Sequence, residues 1–215
     1  MPRITVLAGT NGAGKSSIAG QALRQAGGAY FNPDEATRQI LAANPGLTEA
    51  AANALAWQES VQRLRAAIAD HTDYTFETTL GGQTVTDLLL AAAAADHELV
   101  IWYCGLDSLE RHLARVAARV AGGGHDIPEA KVRTRYEASR ANLVRLMPHV
   151  TMLRVYDNTA EADPATGQRP APDLVLEIRG GALVYPRSAG ELATTPAWAK
   201  PLVARAFQWQ TSTAK

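Results

Sequence analysis

Residues 9–16 read Gly9-Thr10-Asn11-Gly12-Ala13-Gly14-Lys15-Ser16. This octapeptide fits the phosphate-binding template G-x-x-x-x-G-K-[ST] at every fixed position. The glycines let successive backbone N–H groups turn inward around a phosphate chain. Lys15 can reach the β- and γ-phosphates, and the Ser16 hydroxyl can ligate Mg²⁺. The stretch therefore predicts a nucleotide site whose contacts are Gly9, Asn11, Gly12, Ala13, Gly14, Lys15, Ser16 and Ser17.

The segments around this loop have the patterns that the motif requires. Residues 4–8 form a β-prone run, and 17–26 carry apolar side chains at helical spacing. Helical and strand patterns alternate afterwards, and the apolar run at 99–104 is typical of a strand buried on both faces of a parallel sheet. The sequence therefore predicts an α/β fold of the P-loop NTPase or kinase type, a mostly parallel sheet flanked by helices.

Several further elements follow from the same patterns. We expect a second strand at 29–31, a long helix from about 48 to 70 and a hairpin that joins 174–178 to 182–185. The apolar side of the long helix is predicted to be Leu55, Val61, Leu64 and Ile68. We predict a kinase core at 1–180, with a helical lid at about 108–147, and a C-terminal extension at 181–215. A helix in that extension, with Trp198, Leu202 and Phe207, would pack on the core or contact another chain.

Composition excludes several other classes of protein. The 21 basic and 21 acidic residues balance in a chain of 215 residues, so no overall charge points to nucleic acid or a membrane surface. The single cysteine, Cys104, lies in an apolar run, which predicts a buried thiol and a reducing compartment. We find no secretory signal and no apolar stretch long enough to span a bilayer, so we expect a cytoplasmic protein.

Two carboxylates come directly after predicted strands, where ligands of parallel sheets bind. Asp34 follows the second strand and is a candidate base for a substrate hydroxyl, or else a helix cap. Glu77 ends the strand at 74–78 and is expensive to bury unless it binds a partner. That partner would be a substrate group or a water on Mg²⁺, and the alternative is a solvent-facing edge residue.

Arginines cluster between 111 and 145, on two predicted helices joined by glycines at 122–124. Arg115 and Arg119 are four residues apart and so share a helix face. Such a pair of helices is typical of a lid that closes over phosphates, and the alternative is a solvated basic face. His125 beside the glycines is a candidate phosphate donor, and Asn158 after a late strand is a candidate purine contact.

Six short motifs occur in the order Gly-x-Asn-Gly-Ala-Gly-Lys-Ser, Asn-Pro-Asp, Phe-Glu-Thr-Thr, Gly-Gly-His-x-Ile-Pro-Glu, Arg-Tyr-x-x-Ser and Tyr-Asp-Asn. Together they resemble the zeta toxin family, in particular its compact bacterial branch, over about residues 1–160. Zeta toxins are P-loop kinases that phosphorylate UDP-N-acetylglucosamine at the 3′-hydroxyl of its sugar. The resemblance therefore implies ATP and Mg²⁺ as cofactors, a UDP-sugar as substrate and a small antitoxin protein as partner.

The resemblance also implies roles for individual residues. Asp34 matches the catalytic aspartate, Lys15 the phosphate-loop lysine, and Ser16 the Mg²⁺ ligand. Glu77, Thr78 and Thr79 match the strand-end residues that contact substrate. Arg119 is the candidate for the first lid arginine, which contacts the γ-phosphate. At the second lid position the chain has His125, with Arg133 on the nucleotide side or Arg135 on the substrate side as substitutes.

The residues and the resemblance together predict an ATP- and Mg²⁺-dependent kinase that acts on a hydroxyl of a small metabolite. UDP-N-acetylglucosamine or a related UDP-sugar leads the candidates. Two other functions stay open. The first is a regulatory ATPase that modifies no metabolite. The second is a kinase of another small molecule or of nucleic acid, whose binding to DNA or RNA would depend steeply on salt, although the zero net charge argues against nucleic acid.

Overall fold

The computed structural model describes residues 1–16, 30–124, 126–163 and 165–213. The predicted helix at 17–26 lies outside the described residues, and so do Ser17 and His125.

The described residues form one six-stranded sheet with strand order β2-β1-β3-β4-β5-β6. Its strands are β1 (Arg3–Ala8), β2 (Tyr74–Thr78), β3 (Glu98–Gly105), β4 (Met152–Asp157), β5 (Asp173–Arg179) and β6 (Ala182–Tyr185). The first four strands in this order are parallel, and β5 and β6 join antiparallel at one edge. The predicted mostly parallel sheet is confirmed.

Helices follow most of the strands along the chain. They are α1 (Pro33–Ala43), α2 (Glu49–Ala69), α3 (Gln83–Ala94), α4 (Leu109–Ala121), α5 (Glu129–Leu146) and α6 (Lys200–Thr213). Residues 4–8 of β1 are all buried, so both faces of the sheet are covered at its centre. No helix of the described part of the chain is long and apolar enough to cross a membrane.

The second strand is shorter than predicted. Within the described residues it consists of one parallel bridge between Phe31 and Phe76, at the outer edge of β2. The chain turns away at once because Pro33, the next residue but one, has no N–H to extend the ladder and instead begins α1.

The buried face of α2 also differs from the prediction. Leu55 is 45% exposed, whereas Val61 and Leu64 are buried as expected. The rest of the buried face consists of the small residues Ala52, Ala56, Ser60 and Ala67. Small side chains spaced four apart allow a close approach of α2 to its neighbours, and Leu55 falls on the opposite side of the helix.

The C-terminal helix packs on the core. Trp198, Leu202 and Val203 are at most 5% exposed and join the main apolar cluster, with Phe207 packed against it. The indole ring of Trp198 covers Gly105 at the end of β3 so closely that a Cβ atom there would lie 2.2 Å from it.

Candidate active site

The phosphate loop leaves the carboxyl end of β1 in a conformation that needs glycine. Gly9 has a φ of 137°, and a Cβ atom there would lie 2.2 Å from the carbonyl oxygen of Cys104 on β3. Gly12 and Gly14 have φ values of 82° and 85°. These backbone angles are open to glycine and strained for other residues, so the loop depends on its glycines in the way that the motif predicts.

Side chains from three later elements hold this loop. His112 on α4 donates from Nδ1 to the carbonyl oxygen of Asn11 over 2.8 Å. Arg135 on α5 donates to Oδ1 of the same asparagine over 2.9 Å. Asn158, just after β4, donates from its amide to the carbonyl oxygen of Ala13 over 2.8 Å. These three hydrogen bonds hold the loop in its conformation from within the protein, which lowers the ordering cost of binding a ligand.

His112 is neutral in the folded protein. Its ring is 1% exposed, and burial, with a smaller contribution from the charge of Lys15, lowers its pKa to about 4. The hydrogen bond to Asn11 opposes this shift, and it requires the tautomer that carries its proton on Nδ1.

This burial predicts a loss of stability in mild acid. As the pH falls from 6.5 to about 4, the unfolded chain takes up a proton at His112 that the folded chain does not. This one group should lower the free energy of unfolding by about 3 kcal/mol across that interval. Urea unfolding of the wild type and of His112→Asn, whose amide can still donate to Asn11, measures the contribution. The free energy of unfolding of the variant should fall less between pH 6.5 and about 4 than that of the wild type. An equal fall in both proteins would show that His112 is not the cause.

Lys15, Ser16 and Glu77 form a cluster beside the loop, in which Lys15 and Glu77 are buried and Ser16 is exposed. Lys15 Nζ lies 3.6 Å from Glu77 Oε1, and the Ser16 hydroxyl donates to Glu77 Oε2 over 2.7 Å. The Asn32 amide donates to the same carboxylate over 3.4 Å. The lysine and glutamate side chains are only 8% and 10% exposed. A carboxylate is tolerated at this depth because it has both a counter-ion and hydrogen-bond donors.

The oxygens of Ser16 and Glu77 fit a magnesium site in which nucleotide phosphates are also ligands. Magnesium is usually held by one or two carboxylates or hydroxyls, together with phosphate oxygens and water. Ser16 and Glu77 supply such oxygens side by side. Among the described residues no group of three or more His, Cys, Asp and Glu could hold a metal by itself. The remaining ligands of a bound ion would therefore be phosphate oxygens and water.

Asp34 lies in the first turn of α1 and is directed toward α4. The capping role belongs to Asn32, whose side-chain oxygen accepts from the backbone N–H groups of Asp34 and Glu35 over 2.9 and 3.3 Å. The Asp34 carboxylate instead accepts from Arg119 Nη1 over 3.1 Å. The interpretation of Asp34 as a helix cap is therefore wrong, because Asn32 is the cap and the Asp34 carboxylate pairs with α4 instead.

These groups line one large cavity. Its volume is about 1570 Å³, and the phosphate loop, Asp34, Glu77, Arg119 and Arg135 all border it. Pockets for a single small ligand are commonly about 300–1,000 Å³. The cavity therefore has room for a nucleotide and a second molecule.

Comparison with known proteins places the chain in a family. No family model matches it. A protein of Haemophilus influenzae, itself uncharacterized, is 32% identical over 129 residues, which are 60% of this chain and 88% of that protein. The chain belongs to the same family as that protein.

Solved structures share the fold at lower identity. A chain of the AvrRxo1-ORF1:AvrRxo1-ORF2 complex solved with ATP matches 92% of this chain with a TM-score of 0.64 and 18% identity. A chain of the native complex matches 97% with a TM-score of 0.65 and 17% identity. This chain spans 64–71% of the length of those chains. A candidate kinase of Chloroflexus aurantiacus matches 64% of this chain and 80% of its own, with a TM-score of 0.51 and 13% identity. These likenesses show that this chain shares its α/β fold with those proteins.

Only some of the clustered arginines reach the cavity. Arg115, Arg119 and Arg135 border it. Arg133, predicted on the nucleotide side, instead pairs with Glu129 one turn earlier, on an exposed face of α5. Helical spacing turns it about 160° away from Arg135, and this angle is why it does not line the cavity.

Arg135, predicted on the substrate side, lies against the phosphate loop. Its guanidinium donates to Asn11, and its aliphatic stem packs on Gly81, where a Cβ atom would lie 2.7 Å from Arg135 Cγ. Burial lowers the pKa of this guanidinium, and the charge of Asp34 opposes the shift. Arg135 on α5 therefore contacts the phosphate loop, whereas Arg119 on α4 contacts Asp34.

The two threonines after Glu77 also border the cavity. Their hydroxyls accept from backbone N–H groups of the following turn, Thr78 from Leu80 over 3.1 Å and Thr79 from Gly81 over 3.4 Å. These bonds shape the turn between β2 and α3. Thr78 and Thr79 therefore have a structural role in addition to their predicted contact with substrate.

The predicted lid at 108–147 is bonded to the rest of the protein near both its ends. Besides His112 on α4, Ser139 and Asn142 on α5 donate to the carbonyl oxygens of Thr79 and Leu80 over 2.7 and 2.9 Å. Nearer the connecting turn, a small apolar cluster separate from the main core is formed by Val116, Ile127 and Val132, with Leu109 and Leu113 packed against it. The tip of the helical pair, and not its whole length, therefore has the independent packing that a lid requires.

Arg115 borders the cavity, and the sequence analysis noted it on the predicted lid without selecting it as a contact. Its Nη2 donates to the carbonyl oxygens of Thr159 and Ala160, each over 3.3 Å. Its Nε and Nη1 are buried and have no hydrogen-bond partner among the described residues. Buried donors left unpaired are costly, and these belong to a side chain on the cavity wall. The spacing of Arg115 and Arg119 was a usable signal, because residues four apart on a helix face the same way.

Proposed function

We propose that this chain is a kinase that transfers the γ-phosphoryl group of Mg²⁺-ATP to a hydroxyl group of a small metabolite. The observation that carries the proposal is the Asp34 carboxylate, which borders the same cavity as the phosphate loop and is paired with Arg119. A hydrolytic P-loop ATPase would use such a carboxylate to orient a water molecule, but the cavity is large enough for a second ligand as the acceptor. A kinase needs such a group to accept the proton of the attacking hydroxyl.

In the proposed reaction the cationic side chains act on the phosphates. Lys15 binds the β- and γ-phosphate oxygens, and Arg119 and Arg135 donate to the γ-phosphate. They offset the charge that the transferring group carries in the transition state. Ser16 and Glu77 would hold Mg²⁺ directly or through water, and the ion would supply positive charge that offsets part of the phosphate charge.

Asp34 is the proposed base. The acceptor oxygen forms a bond to the γ-phosphorus, the bond from that phosphorus to the β-phosphate oxygen breaks, and ADP leaves with the electron pair. The hydroxyl proton passes to the Asp34 carboxylate. Arg119 pairs with that carboxylate in this structure. In the proposal the γ-phosphate draws Arg119 away, so the base becomes available only when ATP is present.

The test is mass spectrometry of acceptors incubated with the protein and Mg²⁺-ATP, with ADP formation followed with and without each acceptor. UDP-N-acetylglucosamine and related UDP-sugars are the first acceptors to test, because of the resemblance to zeta toxins. A phosphorylated acceptor that is absent with Lys15→Met supports the kinase. ADP formation that no acceptor stimulates, across the panel and a lysate metabolite extract, would favour the regulatory ATPase instead.

Arg115 should bind the nucleotide. We expect Arg115→Met to raise the Kd for ATP by about 10–100-fold, because one or two charge-assisted hydrogen bonds of about 1.5–3 kcal/mol are lost. Its stability without nucleotide should change little, since the substitution also removes two unpaired buried donors. Calorimetric titration of ATP measures the effect. Arg133→Met, at an exposed position outside the cavity wall, is the matched control and should bind ATP as the wild type does.

Two further parts of the proposal concern the setting of the enzyme. We propose a small partner protein that regulates it, since the AvrRxo1 structures are complexes of two chains, ORF1 and ORF2. We also propose a cytoplasmic location, where ATP and UDP-sugars are available. Co-expression of a neighbouring open reading frame, followed by affinity purification, tests the partner directly.

A further inference from the structure

One stripe of α5 contacts both of the loops that border the cavity. Arg135, Ser139 and Asn142 are four and three residues apart, so they share one face of the helix. Arg135 donates to Asn11 in the phosphate loop and packs on Gly81 in the turn between β2 and α3. The other two side chains bond to that same turn. Of the Arg-Tyr-x-x-Ser motif, the proposed kinase mechanism uses the arginine and leaves Ser139 without a role.

The backbone of this turn is strained at Leu80. Its φ is 53°, in the left-handed region that an apolar side chain rarely enters. Two other non-glycine residues among those described have a positive φ, His71 and Asp96, and both are exposed and of types that adopt it more readily. Leu80 instead is 0% exposed. A strained conformation persists only where the surrounding structure holds it, and such residues concentrate at functional sites.

Two buried side chains of α5 hold the peptide groups on either side of Leu80. The Ser139 hydroxyl donates to the carbonyl oxygen of Thr79 over 2.7 Å. The Asn142 amide donates to the carbonyl oxygen of Leu80 over 2.9 Å. Ser139 is 0% exposed and Asn142 is 1% exposed. The orientation of these two peptide groups determines the φ and ψ of Leu80, so the conformation of the turn depends on α5.

A buried tyrosine of the central sheet supports Ser139. A serine hydroxyl has one proton, and Ser139 gives it to Thr79, so the Tyr103 hydroxyl is the donor in its 3.0 Å bond to Ser139 Oγ. Burial raises the pKa of Tyr103 to about 12, which keeps this donor protonated. Tyr103 lies on β3 beside Ala8, the last residue of β1 before the phosphate loop. The two bonds therefore connect the turn to a strand next to the phosphate loop.

We propose that Ser139 is a positioning residue of the acceptor site, which holds the turn after Glu77 so that Thr78 and Thr79 face the acceptor. This inference rests on the proposed kinase function and adds to it a residue that does not touch the acceptor. Both threonines border the cavity, whereas Ser139 lies behind its wall with no exposed surface. Without the Ser139 bond, Leu80 can relax to a negative φ, and the threonine hydroxyls then lose their fixed distance from the phosphate loop.

Steady-state kinetics with UDP-N-acetylglucosamine as the probe acceptor test the positioning. We expect Ser139→Ala to raise the KM for the acceptor about tenfold, the equivalent of one hydrogen bond, with a smaller change in kcat. The Kd for ATP should stay unchanged, because the lost bond is to the turn and not to the phosphate loop. Thr151→Ala is the matched control. Its hydroxyl accepts from the Leu99 N–H over 3.1 Å at the opposite end of the sheet, and its loss should leave the KM unchanged.

A double variant separates positioning from a general loss of stability. Ser139→Ala deprives the buried Tyr103 hydroxyl of its bond to Ser139, which is destabilising in itself. Adding Tyr103→Phe removes that hydroxyl, so the double variant should unfold at a higher urea concentration than Ser139→Ala. Its acceptor KM should stay raised, because the carbonyl oxygen of Thr79 still lacks its donor. Recovery of the KM together with the stability would overturn the proposal.

Hydrogen exchange separates failure of this inference from failure of the kinase proposal, because it needs no acceptor. The amides of Leu80 and Gly81 donate to threonine hydroxyls within the turn, and in Ser139→Ala they should exchange about tenfold faster than in the wild type. Unchanged exchange would overturn the inference whatever the kinetics. Transfer with an unchanged KM in Ser139→Ala would overturn it and leave the kinase. Faster exchange in a protein whose wild type phosphorylates no acceptor would overturn the kinase and leave Ser139 as the residue that holds the turn.

Discussion

Replacing Asp34 with asparagine should lower the rate of phosphoryl transfer by about 10²–10⁴-fold, the usual contribution of a positioned general base. The amide has the shape of the carboxylate but cannot accept the hydroxyl proton. Binding of ATP should persist and should tighten slightly, because Arg119 no longer pairs with a negative charge and is more available to the γ-phosphate. The measurement is kcat for the phosphorylated product beside the Kd for ATP.

Glu35→Gln is the matched control for this substitution. Glu35 is the next residue of the same first turn, borders the same cavity and has the same relation to the helix N-terminus. The transfer rate of Glu35→Gln therefore measures any general effect of removing a negative charge near α1. Equal losses in the two variants would assign the effect to charge near the cleft, and transfer retained by Asp34→Asn would remove Asp34 from the mechanism.

The second large effect concerns the buried pair of Lys15 and Glu77. Glu77→Gln leaves the Lys15 ammonium buried with no carboxylate beside it, and breaking such a pair costs about 3–5 kcal/mol of stability. Lys15→Met should cost a similar amount. The double variant should be less destabilised than the sum of the two, since no unpaired charge remains. Urea unfolding of the four proteins gives the coupling energy directly.

Nucleotide should reverse part of the loss in Glu77→Gln. The β- and γ-phosphates replace the missing carboxylate as partners of Lys15, so ADP or ATP should stabilise this variant more than the wild type. The rate of phosphoryl transfer in Glu77→Gln should stay low if Glu77 helps to hold Mg²⁺. Raising the Mg²⁺ concentration should restore only part of that rate. The exposed pair of Arg63 and Glu59, at 2.6 Å, is the control, with an expected coupling of about 0.3–0.5 kcal/mol. If the stability lost in the double variant equalled the sum of the losses in Lys15→Met and Glu77→Gln, the two side chains would not stabilise each other.

Local signals in the chain were sufficient for much of the fold. The phosphate loop follows a β-prone run, and the continuous apolar strand β3 lies inside the parallel part of the sheet. Ser108 caps α4 by accepting from the Arg111 N–H over 3.3 Å, as its position before a helical pattern predicts. In each case residues close in sequence determine the element through backbone angles, caps or periodicity.

The wrong predictions concern which face of a helix meets the core or the cavity. Leu55 and Arg133 have residue types suited to the roles predicted for them, but each lies on the wrong side of its helix. Residue type does not show which face meets the core or the cavity, since that depends on the angle at which the whole helix packs.

By itself the sequence determined the phosphate loop, the α/β architecture and the presence of carboxylates after two strands, because these depend on motifs and periodicities within a few residues. Only the tertiary structure decided which groups work together. Glu77 contacts Lys15 and Ser16, which are 62 and 61 residues earlier in the sequence. Arg119 contacts Asp34, which is 85 residues earlier. Such contacts arise because parallel strands bring their carboxyl ends to one edge of the sheet, and the packing angles of α4 and α5 then select the side chains that reach it.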